Sequence, residues 1–124
     1  MLIYLILSCC LLFSQDQAGK TLSVKQIPLL YQHWIHSQEE DSAPATRTYR
    51  PATYAFPPAR GRDGFEVKKN GIILSHPIAA ADGNQTVPEK WKLSKGELII
   101  TGKSAVRRFT ILSLTKEKLV LKPL

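Results

Sequence analysis

Cysteine is almost absent from this chain: two residues among 124, Cys9 and Cys10, side by side near its start. A vicinal pair makes a poor disulfide and cannot hold a metal alone, so the remainder must be held by its core. Also missing are a G-x-S-x-G nucleophile turn, a phosphate-cradling glycine loop, internal repeats, heptads and low-complexity tracts. No apolar run reaches the ~20 residues needed to span a bilayer. Helical periodicity is absent beyond the single turn that Ala79-Ala80-Ala81-Asp82 could form. These absences exclude motif-driven hydrolase, transferase and nucleotide chemistry. They leave the expectation of one non-enzymatic domain with no cofactor.

Basic charge is present in excess, with 17 Lys and Arg against 10 Asp and Glu and a net charge of +7. Such a balance fits nucleic acid, an anionic surface or simple solubility. The only adjacent basic pairs are Lys68-Lys69 and Arg107-Arg108. That dispersion reads as solubility, and no nucleic-acid partner is expected.

Leu2 to Phe13 is uncharged and apolar apart from Tyr4, Ser8 and the cysteines. It suits the apolar core of a signal peptide over residues 1–14, cleaved after Ser14, although a positively charged start is missing and would lie upstream. The alternative is lipidation of Cys9, because Ile6-Leu7-Ser8-Cys9 resembles a lipobox. Either route makes the protein exported, periplasmic or secreted, and only the second anchors it to a membrane. Residues 15–28 read as a flexible lead-in and 29–124 as the folded domain.

Within that domain the pattern is that of strands. Leu29 to Gln38 alternates, with Tyr31, His33 and Ile35 facing one way and Trp34 and His36 the other. Ser42 to Arg62 carries Pro44, Pro51, Pro57 and Pro58, which argues against a helix or a long central strand. Its Tyr49, Tyr54 and Phe56 suggest an ordered loop or edge segment docked on the sheet. Phe65–Lys68 and Ile72–Ala79 flank Asn70-Gly71, read as a type I′ hairpin turn, and Asp82-Gly83-Asn84 is a further turn. From Trp91 to Leu121 the chain is a β-meander of four short strands, with Trp91, Leu93, Phe109 and Ile111 in the inward phase. Seven to nine short strands in all are expected.

Trp34, Phe65, Asn70-Gly71, x-W-x-L at Trp91 and Leu93, Leu98 with Ile100, and the run from Phe109 through Ile111, Leu112 and Leu114 to Leu119 and Leu121 together resemble the small lipocalin-like domains of exported bacterial proteins. The resemblance covers Leu29 to Leu121. It departs from full lipocalins where Gln32 replaces the Gly of G-x-W and in lacking a C-terminal helix. It implies an all-β, small antiparallel up-and-down β-barrel, closed so that no edge strand is exposed.

Few residues invite a chemical role. His33 and His36 fall on opposite strand faces and His76 is remote, so no metal site is expected. Asp63, Glu66 and Asp82 read as turn formers or solvated charge. Arg60-Gly61-Arg62-Asp63, with Tyr49-Arg50, could hold a carboxylate or phosphate; alternatively, one Arg pairs with Asp63 or Glu39-Glu40-Asp41 and ties the proline loop down. Trp34 and Trp91 either line a ligand cavity or fill it. The reading is therefore a non-catalytic barrel taking a small apolar or anionic amphipathic ligand, with Tyr49, Arg50, Arg60, Arg62, Trp34 and Trp91 as candidate contacts. The alternative is a filled structural barrel acting as an envelope interaction module.

Overall fold

The computed structural model describes residues 22–42, 45–77 and 86–124; the leader, Cys9 and the Asp82-Gly83-Asn84 turn lie outside them. Eight strands form a closed antiparallel barrel: β1 His33–His36, β2 Arg47–Pro51, β3 Gly64–Val67, β4 Ile72–His76, β5 Val87–Ser94, β6 Glu97–Thr101, β7 Val106–Leu114 and β8 Leu119–Pro123. This is the all-β, lipocalin-like architecture expected. β3 through β8 run up and down, each paired with the next. Closure comes from the first hairpin, with β1 against β3 and β2 against β8.

β2 corrects the reading of Ser42–Arg62 as loop or edge segment. Arg47–Tyr49 pair with Leu119–Leu121, and Tyr49–Pro51 pair with Trp34–His36. The prolines do not prevent this, because Pro51 is the last residue of the strand. β1 is shorter than its alternation suggested: 3₁₀ turns at Ile27–Leu30 and Gln38–Glu40 replace its two ends. Because β2 and β3 both run antiparallel to β1, residues 52–63 must cross β1 to join them. The Gln38–Glu40 turn lies against β2, with Ser37 N–H donating to Thr48 O and Thr48 N–H to Asp41 Oδ1. That cover leaves the outward-facing Thr48 buried.

The type I′ geometry expected at Asn70-Gly71 occurs instead at Lys95-Gly96. Lys95 (φ 50°) and Gly96 (φ 81°) both adopt positive φ between β5 and β6, the two-residue geometry that matches strand twist. At Asn70-Gly71 only Gly71 does so (φ 82°), and Lys68 N–H donates to Ile72 O, which makes a three-residue loop. β7 carries a bulge between Ile111 and Ser113, so Ile111 and Leu114 both reach the core although strict alternation would separate them.

One end of the barrel is solid. Trp34, Leu30, Ile73, Leu98, Ile111, Leu119 and Leu121 are fully buried. The 3₁₀ turn Ile27–Leu30 plugs this end, and the Trp34 indole N–H donates to Leu30 O at 3.0 Å. Trp91 has the inward phase expected of it but is only partly buried beyond the end of β4, edge-on to Tyr31 and bonded to Lys68 O. Leu93 and Phe109 are likewise partly buried against the core.

Candidate functional site

The six residues singled out from sequence do not converge. Trp34 is sealed in the core with 0% exposure and cannot meet a ligand. Trp91 lies at the plugged end. Arg50 and Arg62 are on the outer wall, each held by a carboxylate. The Arg50 Nε and Nη2 donate to Glu40 at 2.8 and 2.6 Å, and its guanidinium covers the Tyr54 ring at 4.8 Å. Arg62 donates to both oxygens of Glu39 at 2.7 and 2.5 Å, and to the carbonyls of His36 and Pro57. It also covers the Phe56 ring at 4.8 Å. Adjacent glutamates on one 3₁₀ turn thus grip both ends of the β2–β3 crossover. These bonds hold the Glu39 and Glu40 carboxyls near pKa 2, well below the usual carboxylate range. Arg60 is exposed.

Only Tyr49 of the six reaches the open end, where a pocket of about 270 Å³ lies. Its apolar lining is Tyr49, Phe65, Ile100 and Phe109, carried inward by alternation on β2, β3, β6 and β7. Arg47 and Arg107 stand at the rim, nearly half exposed at 47% and 48%. Arg107 Nη2 donates to Glu89 Oε1 at 2.6 Å, an oxygen that also accepts from Ser75 Oγ at 2.5 Å. Arg47 is 3.9 Å from Asp63, whose other oxygen is 3.2 Å from His36 Nδ1. Burial pushes the Tyr49 hydroxyl pKa up, and its hydrogen bond with Arg47 opposes the shift. Sequence reasoning missed Arg47 and Arg107 because their strands meet only through the closed barrel. The inward phase of Arg107, two residues before Phe109, was the available signal.

Beside the mouth, whose lining includes His76, strand pairing gathers two distant histidines. The His33 and His76 rings pack at a tilt of 43° with centroids 4.8 Å apart, His76 Nε2 is 3.8 Å from Glu66, and Lys68 pairs with the same carboxylate. Burial, and then His76, lower the His33 pKa. Among the described residues no group of three His, Cys, Asp or Glu is placed to hold a metal ion. Comparison with protein-family models, curated proteins and solved structures finds no match to this chain.

Proposed function

We propose that the protein is an exported, non-catalytic barrel that binds a small amphipathic anion at its open mouth. The observation that carries this is a pair of half-exposed guanidiniums above an apolar floor of Tyr49, Phe65, Ile100 and Phe109. Each guanidinium has five N–H donors and spends few of them on Asp63 or Glu89, so donors remain for a carboxylate. At about 270 Å³ the space falls just below the ~300 Å³ at which drug-sized pockets begin, which selects a short ligand. Export rests on the apolar stretch Leu2–Phe13 and on the confinement of both cysteines to it. Intact-mass measurement of native protein is expected to find a start near Gln15 or a lipid on Cys9; unmodified full-length protein in the cytosol refutes export.

Calorimetric titration with octanoate, octanol and octylamine tests the binding reading. Octanoate is expected to bind best, and Arg47→Gln or Arg107→Gln to weaken it about tenfold each, as for one charged hydrogen bond. Arg60→Gln is expected to leave binding unchanged. Equal affinity for all three probes, or none, overturns the reading. The second reading is then a structural barrel acting through its surface, favoured by the solid packing of Trp34, Leu30, Ile73 and Ile111.

A further inference from the structure

The mouth offers an acceptor as well as donors. Asp63, whose place before Gly64 suggested a turn former or solvated charge, lines the pocket together with Arg47. It is pinned to β1 twice: His36 N–H donates to its carbonyl at 2.9 Å, and His36 Nδ1 lies 3.2 Å from its Oδ1. The imidazole is fixed in turn, with Nε2 2.8 Å from Asp41 Oδ2 and its ring 5.3 Å from that of Tyr49. Asp63 Oδ2 is therefore held in place before any ligand arrives. Among the described residues it accepts no hydrogen bond, because Arg47 Nη1 stands 3.9 Å away, beyond hydrogen-bond reach.

Glu89, the carboxylate beside Arg107, offers nothing comparable. Its Oε1 already takes Arg107 Nη2 and Ser75 Oγ, and its Oε2 lies against the Gly102 backbone. Its side chain is 12% exposed and does not line the pocket. Arg47 and Asp63 thus form a split pair at the rim, opposite charges side by side with a gap between them. A ligand carboxylate by itself answers the guanidiniums but sets a like charge beside Asp63 Oδ2. An ammonium group adjacent to that carboxylate answers both. Guanidinium, ligand carboxylate, ligand ammonium and Asp63 then alternate in sign, each joined to the next by a charged contact. The 3.9 Å gap becomes the fourth side of that quartet.

Taking the mouth as the anion site argued above, we propose that its ligand is a free α-amino acid with an apolar side chain, and that Asp63 selects the ammonium group. The side chain lies on the floor of Tyr49, Phe65, Ile100 and Phe109. An ammonium at the far end of the ligand would instead be pressed unpaired against that floor, which is costly. An amide in place of the free carboxylate would leave Arg47 without its charged acceptor, so a peptide N-terminus is a poorer fit. At about 270 Å³ the pocket is also too small for the two acyl chains of a zwitterionic lipid.

Calorimetric titration of the full chain with octanoate, L-2-aminooctanoate and 8-aminooctanoate tests this. L-2-Aminooctanoate is expected to bind about tenfold more tightly than octanoate, as for one charged hydrogen bond. 8-Aminooctanoate, with the same two charges at opposite ends, is expected to bind more weakly than octanoate. Asp63→Asn retains an acceptor for His36 and should cost L-2-aminooctanoate about tenfold. Octanoate binding by that variant should persist or tighten, which also reports that the variant is folded. If the variant does not fold, the two aminooctanoates on wild type decide alone. Octanoate binding with no gain for L-2-aminooctanoate overturns the proposal and leaves the anion site standing, whereas no binding of any probe overturns both. Equal affinity for the two aminooctanoates overturns it, because adjacency of the charges would not matter. An equal loss of octanoate and L-2-aminooctanoate in Asp63→Asn overturns it in favour of Asp63 as a support for Arg47.

Discussion

Replacing Trp34 with Phe tests whether the 3₁₀ plug and the barrel are one cooperative unit. The indole is fully buried, and its N–H supplies Leu30 O with a hydrogen bond of 3.0 Å. Phe keeps an aromatic ring but donates nothing, so Leu30 O loses the indole and keeps only the Gln32 N–H at 2.8 Å, a cost of about 0.5–1.5 kcal/mol. The smaller ring also gives up roughly 40 Å² of apolar burial, about 1 kcal/mol at 25 cal/mol per Å². Together these give about 1.5–2.5 kcal/mol, a sizeable part of the stability of a domain this size. In urea the midpoint should fall by about 1–2 M with an unchanged slope. Leu30→Ala alone should cost about 2–5 kcal/mol, and the double variant should show coupling of about 0.5–3 kcal/mol. A loss below about 1 kcal/mol for Trp34→Phe, with no coupling to Leu30, refutes the reasoning and makes the segment before β1 an adornment. Octanoate binding by folded Trp34→Phe should be unchanged, since Trp34 does not line the mouth.

Arg62→Ala removes the donors to Glu39, His36 O and Pro57 O, so limited proteolysis should cut within residues 52–63 while the far-ultraviolet spectrum persists; cleavage no faster than in wild type refutes the clamp. Gly64→Ala should lower stability by about 1–3 kcal/mol in urea, because a methyl group there collides with Trp34 O across the β1–β3 pair; an unchanged midpoint would contradict that close approach. Stability should also fall on acidification. Folded Glu39 and Glu40 have pKa values near 2 against a reference of 4.5, so the unfolded chain takes up protons first and their contribution, present above about pH 4.5, is lost towards pH 2. The lowered His33 pKa adds a loss of the same sign that begins below about pH 6.5. Glu39→Gln/Glu40→Gln should flatten the lower limb and leave the upper one; an unaltered lower limb would show that the two carboxylates are not its source.

Side-chain phase was legible along most of the chain, because alternation is local and survives any arrangement of neighbours. Phe65 and Val67, Leu98 and Ile100, and Leu119 and Leu121 all point inward as their spacing required. The pairing of Arg62 with the Glu39–Asp41 cluster was also foreseeable, since opposite charges close in sequence flank one proline-rich loop. The bulge at Ile111–Ser113 and the three-residue loop at Asn70-Gly71 were not, because one extra residue in a strand or turn leaves its composition unchanged. Above all, tertiary structure alone decided which strands would meet. Closing β2 on β8 and β1 on β3 turned a proline-bearing stretch into a wall strand. It brought Arg47 to the same mouth as Arg107 and His33 onto His76. Alternation assigns each residue an inner or an outer face, but only the ring order of the strands determines which residues become neighbours there.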